Sequence, residues 1–182
     1  MGKVLVIIYI FSVFGFFACN NNQQIVNANI SETKYSEDSL SIQAGKKWIK
    51  ENIESYFNND PNFLKGFSFL CSKQYFEFKQ DATNIDLDGG MTEQAFKTKW
   101  GRRYSKYAGI GNGFMISQTD FGKIELIKIE FRNQTEMEGL LYNVLIIDKT
   151  FKSKFERQVL LIKDGNSFLI DDVLEISDSF GK

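Results

Sequence analysis

Apolar residues recur at helical spacing in the segment that follows Ser36-Glu37-Asp38. A cap residue followed by acidic residues favours a helix N-terminus at this point, and Asn58-Asn59-Asp60-Pro61 marks its end. The pattern predicts a long amphipathic helix whose aromatic residues belong to the core. Its apolar stripe consists of Leu40, Ala44, Trp48, Ile49, Ile53, Tyr56 and Phe57.

Two shorter stretches of helical periodicity follow. The first runs from about residue 68 to residue 82, and the second opens at Thr92, whose hydroxyl can cap it. The predicted apolar positions are Leu70, Tyr75, Phe78 and Ala82 in the first helix, and Phe96, Trp100 and Tyr104 in the second. The other face of the second is basic, with Lys97, Arg102, Arg103 and Lys106. Such a face is either solvated or suited to an anionic ligand or lipid headgroups.

From Gly113 onward the apolar pattern alternates, which predicts strands. Five are expected, at residues 114–118, 123–132, 140–148, 157–163 and 167–176. Asp164-Gly165-Asn166 predicts a hairpin. In the second strand the apolar phase slips near Leu126, which predicts a bulge and a bent sheet. Two or three helices followed by four or five antiparallel strands predict an α+β domain, with the helices packed on one face of a curved sheet.

The first 19 residues carry a different signal. An apolar run of about 14 residues, from Val4 to Phe17, falls short of the roughly 20 that a membrane-spanning helix needs but matches the apolar part of a secretion signal. The small Ala18 comes directly before Cys19, and a polar stretch follows. This arrangement resembles the lipobox of bacterial lipoproteins. The alternative is an ordinary secreted protein with an incidental cysteine.

The lipobox resemblance implies that residues 1–18 are removed and that Cys19 becomes the lipidated first residue. Residues 19–37 are then a polar tether, and residues 38–182 form a single domain. Several acyl chains are enough to hold a protein on a membrane without spanning it. Asn20 replaces the aspartate that retains such proteins in the inner membrane, so the resemblance implies the outer membrane and a domain facing the periplasm. Export to the cell surface stays open.

Composition excludes some classes of partner and of catalyst. The 22 Lys and Arg nearly balance the 23 Asp and Glu, so no strongly basic face for nucleic acid is expected. Once Cys19 carries lipid, Cys71 is the only thiol, and it is expected to be a small buried residue. The predicted partners are the membrane, through Cys19, and an unidentified small molecule or envelope protein. A homodimer is an open possibility.

The chain contains no histidine. This excludes Ser-His-Asp and Cys-His nucleophiles and histidine metal sites. The glycine-rich residues 109–113 lack the lysine of a phosphate-binding loop and predict a turn. Asp81, Asp86 and Asp88 lack the rest of a calcium loop and are expected to be solvated. We therefore expect no cofactor and no metal.

The order of helices and strands, together with the terminal strand Phe168-Leu169-Ile170-Asp171-Asp172-Val173, resembles the nuclear transport factor 2-like superfamily, also called SnoaL-like or cystatin-like. The resemblance covers about residues 38 to 178 and is strongest to lipoprotein and exported members found in Bacteroidetes-type bacteria. It implies a cone formed by a curved sheet and a long helix. Members of this superfamily include isomerases, dehydratases, cyclases and binding modules, so the fold does not assign an activity.

Strict alternation places Asp172 on the apolar face of the last strand and Asp171 on the mixed face. An unpaired carboxylate on an apolar face would have a raised pKa suited to acid–base work. Superfamily enzymes use an Asp inside the cone in this way. The alternative is that Asp172 pairs with Arg102, Arg103, Lys163 or a tyrosine hydroxyl and holds a helix on the sheet.

The sequence is compatible with two functions. The first is a non-catalytic envelope module that binds a small molecule, a peptide or a protein. Its candidate ligand-binding residues are Trp100, Phe114, Tyr142, Arg102 and Arg103. The second is a small-molecule isomerase or hydrolase with Asp172 as general base, which requires an open cavity that reaches Asp172.

Overall fold

The computed structural model describes residues 22–59, 66–104 and 114–181, with side chains from residue 38 onward. Its contacts divide the chain into residues 1–37 and 38–182. The second unit contains the sheet and the helices that pack with it, and it is an α+β fold, as predicted. The elements are α1 (Asn22–Phe57), a 3₁₀ turn (Phe67–Phe69), α2 (Lys73–Thr83), α3 (Glu93–Trp100), β1 (Ile124–Gln134), β2 (Leu140–Asp148), β3 (Ser153–Asp164) and β4 (Ser167–Ser179).

Helix α1 ends where the sequence predicts but begins earlier, at Asn22 rather than after Ser36. The stretch from 22 to 37 contains neither glycine nor proline, so a helix nucleated by the packed residues can propagate through it. Residues 1–18 and Cys19 lie outside the described residues. Within the described part of the chain, no helix is both long enough and apolar enough to cross a membrane.

The buried row of α1 is narrower than its predicted apolar stripe. Gly45, Ile49, Ile53 and Phe57 are buried at four-residue spacing, whereas Leu40 is 71% exposed. Gly45 is needed because the Tyr142 hydroxyl lies where a Cβ at this position would be. The same hydroxyl donates to the Ile42 carbonyl at 2.8 Å, which joins α1 to the first part of β2.

Helix α2 begins later than predicted because the preceding residues pair with the sheet. Cys71 forms a parallel bridge with Ile170 of β4, and the Ser72 amide donates to the Ile170 carbonyl at 2.8 Å. Ser72 then caps α2 by accepting from the Tyr75 amide. Thr92 caps α3, as predicted. All seven apolar positions predicted for these two helices are buried.

The strands form one antiparallel sheet in the order β1-β2-β3-β4. The prediction of a strand at 114–118 is wrong, because the Met115 carbonyl and the Ser117 hydroxyl accept hydrogen bonds from the Arg157 side chain and this segment joins no strand ladder. β3 begins four residues before the predicted start, at Ser153. The predicted hairpin is confirmed, with Asp164 opposite Ser167 and Gly165 at a φ of +58°.

Two strands are bulged. The pairing of β1 with β2 skips Ile127 between Leu126 and Lys128, which confirms the predicted bulge. The pairing of β4 with β3 skips Asp171 and Ile176. Each skipped residue shifts the alternation of its strand by one position.

Two side chains of α1 and that of Asn58, the residue after it, cover the first half of the outer edge of β1. The Asn58 side-chain amide accepts a hydrogen bond from the Ile124 N–H at 2.9 Å and donates one to the Ile124 carbonyl at 2.8 Å. Two residues further along β1, the Glu54 carboxylate accepts a hydrogen bond from the Leu126 amide, and the Lys50 ammonium donates one to the Leu126 carbonyl. These three side chains therefore take the place of a neighbouring strand on an edge that would otherwise be open to pairing.

Candidate functional site

The bulge at Asp171 decides which of the two adjacent aspartates is buried. Phe168 and Ile170 point into the core, and the extra residue then moves Asp171 and Val173 into buried positions while Asp172 stays partly exposed. Strict alternation predicts Asp172 on the apolar face, and this prediction is wrong because the strand contains one residue more than its partner.

Asp171 joins three elements of the fold. Its carboxylate accepts from the Ser72 hydroxyl at 2.5 Å and from Arg103 Nη2 at 2.8 Å. Ser72 precedes α2, and Arg103 lies in the turn after α3. The predicted ion pair between the terminal strand and Arg103 is therefore present, but it is made by Asp171 rather than Asp172.

Asp172 is held differently. Its carboxylate accepts from the Val173 N–H at 2.8 Å. Burial raises the pKa of the Asp172 carboxyl from its ordinary 3.8 to about 6; the Asp171 charge adds to this rise, while Arg103 and Lys79 oppose it. Its protonation state therefore changes in the range just below neutral pH.

Helix α2 places two more titratable side chains close to Asp172. Tyr75 and Lys79 are both buried and stand one helical turn apart. Burial raises the pKa of the Tyr75 hydroxyl, to which the charges of Asp172 and Glu175 add. Burial lowers the pKa of the Lys79 ammonium, which Glu175 partly restores. The charges of these side chains therefore influence one another between α2 and β4.

Cys71 does not supply a nucleophile to this cluster. The thiol is buried and free, as the sequence predicted for this residue. Burial raises the pKa of the thiol, so the reactive thiolate is not formed at neutral pH.

A groove of about 300 Å³ lies on the sheet, and Asp172 is not among its lining residues. Two cross-strand rows of side chains line most of it. One row is Glu130, Asn143 and Gln158, and the other is Lys128, Leu145 and Glu156. Val144, Arg157 and the bulged Ile176 complete the lining.

The polar groups of the groove differ in how they are paired. Lys128 and Glu130 form an ion pair at 2.9 Å. Among the described residues, Glu156 has no cationic partner within 4.0 Å. The groove thus presents one carboxylate that is open to a ligand, beside two side-chain amides that can both donate and accept hydrogen bonds.

The Arg157 side chain lies in the protein interior beneath the groove, so its guanidinium is not available to a ligand. Its guanidinium is fully buried and donates to Met115 O at 2.8 Å, Ser117 Oγ at 3.0 Å and Asp178 Oδ1 at 2.6 Å. It also reaches the carbonyls of Glu156 and Ser177. These bonds fix the end of β4 and the segment before β1 against β3.

The five predicted ligand-binding residues do not come together in this groove. Trp100, Phe114 and Tyr142 are core residues. Trp100 donates to Asp81 at 2.8 Å, and Phe114 stacks on Phe57. Arg102 is exposed, and Arg103 is paired with Asp171.

The groove residues Glu130, Asn143, Gln158 and Glu156 were not predicted from the sequence. Their alternation with buried positions marks an outward face, but the concavity arises from the twist and bulges of the sheet. The residues 109–113 and Lys106 lie outside the described residues. Within the described ranges, no group of three or more Cys, Asp or Glu side chains is arranged to hold a metal ion.

A scan with family models gave no match, and comparisons with the curated proteins and with the solved structures gave none either. The fold class therefore stands on the coordinates of this chain alone.

Proposed function

We propose that this chain is a lipid-anchored envelope protein whose domain binds a ligand or partner without catalysing a reaction. The observation that carries the binding role is the groove over β1, β2 and β3, which combines an open carboxylate, two amides and an apolar margin. Binding sites typically combine an apolar lining with a few polar groups of this kind. Asp172, whose carboxyl pKa is raised, is not part of the groove lining.

The ligand class follows from the charges of the groove. Lys128 neutralises Glu130, which leaves the Glu156 carboxylate to attract a cation. Asn143 and Gln158 can bond the N–H and carbonyl groups of a peptide. A volume of about 300 Å³ is at the small end of ligand sites. We therefore propose a short basic peptide, or an amine-bearing molecule of similar size, as the ligand.

An array of immobilised short peptides that differ in charge tests the ligand class. The full chain should bind basic peptides in preference to neutral and acidic ones. Glu156→Gln should weaken this binding about tenfold or more, as expected for the loss of a hydrogen bond to a charged group. Glu136→Gln removes the same charge from the exposed loop between β1 and β2 and should leave binding unchanged. No preference for basic peptides, or an equal effect of the two variants, would reject the proposal.

The membrane anchor is supported by the sequence around Cys19. Mass spectrometry of the chain isolated from its own cells should find acyl chains on an N-terminal Cys19. Cys19→Ser should move the protein out of the membrane fraction. A full-length chain with a free Cys19 would rule the anchor out. Separation of inner and outer membranes tests the proposed outer-membrane location facing the periplasm.

We also propose the relationship to the nuclear transport factor 2-like superfamily. It is supported by the order of three helices and an antiparallel meander and by the bulges in β1 and β4. The cone that this relationship implies belongs to the same proposal. An experimental structure that shows the two ends of the sheet and residues 105–113 tests it.

A second candidate function is an isomerase or hydrolase with Asp172 as general base. The raised pKa of Asp172 favours it, since a base works best when its pKa lies near the working pH. Asp172→Asn separates the two functions. Binding without catalysis predicts that the variant keeps its ligand, whereas catalysis predicts that turnover disappears while the fold is retained.

A further inference from the structure

Three phenylalanine rings are exposed at one end of the sheet. Phe121 is 39% exposed, Phe151 is 48% exposed and Phe180 is 55% exposed. Phe121 precedes β1, Phe151 lies in the turn between β2 and β3, and Phe180 follows β4. Large exposed apolar side chains that gather in one place indicate an interaction surface.

Backbone contacts hold these three segments together. The Lys149 amide donates to the Lys123 carbonyl, and the Lys123 amide donates to the Thr150 hydroxyl at 3.1 Å. Gly181 lies so close to the Phe151 carbonyl that a Cβ would collide with it. The three rings therefore belong to one surface, which we call the phenylalanine tip.

The turn that carries Phe151 is preorganised. The buried Asp148 carboxylate accepts from the amides of Thr150 at 2.8 Å and Phe151 at 3.0 Å, and also from Gly122 at 2.9 Å. Phe121 is braced by an edge-on contact with Phe57, and Phe180 by one with Phe155. The rings are thus presented to solvent by fixed backbone and core contacts.

The charge around the phenylalanine tip is predominantly positive. Lys123, Lys149, Lys152 and Lys154 are exposed there. Two nearby carboxylates reach solvent beside the lysines: Asp120 is exposed, and Glu125 pairs with Lys149 at 3.0 Å. Two more are already engaged, because Asp148 is buried against backbone amides and Asp178 pairs with Arg157 at 2.6 Å. The remaining lysine charge is complementary to an anionic surface.

We propose that the phenylalanine tip docks on an anionic phospholipid bilayer. The three rings enter the interfacial region, where burial of apolar surface drives attachment, and the lysines contact the headgroup phosphates. The proposal rests on the lipid anchor of the proposed function only for bringing the tip to the bilayer. It adds a second contact, which sets how the domain lies on the membrane.

The test uses the full chain isolated from its own cells, in vesicles of phosphatidylcholine with and without phosphatidylglycerol. The acyl chains of the vesicle lipids carry bromine as a quencher. Phe151→Trp reports on the phenylalanine tip. Phe69→Trp is the control, because Phe69 is exposed but lies far from the phenylalanine tip. Phe69 comes just before Cys71, which pairs with Ile170, and Ile170 is separated from Phe180 by about 30 Å of extended strand. Trp48 and Trp100 give the same background in both variants.

In vesicles with phosphatidylglycerol, Phe151→Trp should be quenched and shifted to shorter wavelength, and Phe69→Trp should not. Adding Lys152→Gln and Lys154→Gln should lower the ratio of docked to undocked protein about 25-fold, at about fivefold per lysine. Lys73→Gln with Lys163→Gln, both exposed elsewhere, should leave the ratio unchanged.

Mass spectrometry of Cys19 in the same sample separates the two proposals. A lipidated Cys19 with Phe151→Trp quenched no more than Phe69→Trp overturns docking by the tip and leaves the anchor. An unlipidated Cys19 with selective quenching of Phe151→Trp overturns the anchor and supports the tip. An unlipidated Cys19 without selective quenching at excess vesicles overturns both.

Discussion

Arg103 donates from its Nη2 to Asp171 Oδ2 across 2.8 Å and so joins the turn after α3 to the bulge in β4. The Asp171 carboxylate is almost fully buried, and its other oxygen receives the Ser72 hydroxyl. The neighbouring Asp172 has neither of these two partners. Adjacent residues of the same type therefore have opposite roles: Asp171 fastens the helices to the sheet, and Asp172 stays titratable.

We expect Asp171→Ala to lower the free energy of unfolding by about 2–3 kcal/mol, because the Ser72 hydroxyl and the Arg103 guanidinium lose their shared acceptor. This is less than the roughly 3–5 kcal/mol expected when a fully buried ion pair is broken, because the Arg103 side chain is partly exposed. Urea unfolding of the variant measures the change. Asp88→Ala, in an exposed loop, should cost less than about 0.5 kcal/mol. Equal effects of the two would contradict the assigned role of Asp171.

Asp172→Asn should change how stability depends on pH. The pKa of Asp172 is raised in the folded protein from 3.8 to about 6, so the folded state binds the proton more tightly than the unfolded chain does. The stabilisation is complete below about pH 4 and is lost as the pH rises through about 6. The loss is about 3 kcal/mol. Asp172→Asn should remove this decline and be the more stable protein at pH 7, as measured by thermal unfolding from pH 4 to pH 7. A parallel decline in both proteins would contradict the raised pKa.

Arg157→Lys should destabilise the domain by about 3 kcal/mol or more, since a lysine cannot reproduce the fork of hydrogen bonds to Met115, Ser117 and Asp178. The loss of these hydrogen bonds should also loosen residues 114–118 from β3. Hydrogen exchange would detect this as faster exchange of the amides in that segment. Arg132→Lys, on an exposed position of β1, is the matched control. Unchanged protection of 114–118 would show that other contacts hold this segment.

Gly45→Ala should cost about 1–3 kcal/mol, because the new methyl group meets the Tyr142 hydroxyl. Tyr142→Phe should cost about 1 kcal/mol through the lost bond to the Ile42 carbonyl. The double variant should be more stable than the sum of the two changes predicts, since removing the hydroxyl makes room for the methyl group. Additive effects would mean that the two residues do not meet. Gly66→Ala is the control, because its Cβ would meet no atom within 4 Å.

Much of the fold could be predicted from the sequence, because its signals are local. The bounds of β2 match the prediction at both ends, since its burial alternates without interruption. The bulge beside Leu126 was predictable because apolar residues record the phase slip on both sides of it. Thr92 was predicted as a helix cap from local sequence alone. Ser72 was not predicted as the cap of α2, because the start of that helix depends on the pairing of Cys71 with β4.

The bulge at Asp171 left no comparable mark in the sequence. The apolar residues Ile170 and Leu174 keep an even spacing across it, so an unbroken strand fits the pattern equally well. Ser72 and Arg103 determine which of the two aspartates is buried, because they bind Asp171. They lie 99 and 68 positions from Asp171 along the chain, so a local pattern does not reveal them. The groove escaped prediction for a similar reason, since the outward face is local information and its curvature is not.

The affinity of the full chain for a basic peptide selected from the array, measured by calorimetry, tests the binding function most directly. The groove predicts saturable binding of one peptide per domain, weakened about tenfold or more by Glu156→Gln and left unchanged by Glu136→Gln and by Asp172→Asn. Equal weakening by Glu136→Gln would contradict a site in the groove. Turnover of the bound ligand that is lost in Asp172→Asn would contradict a role without catalysis.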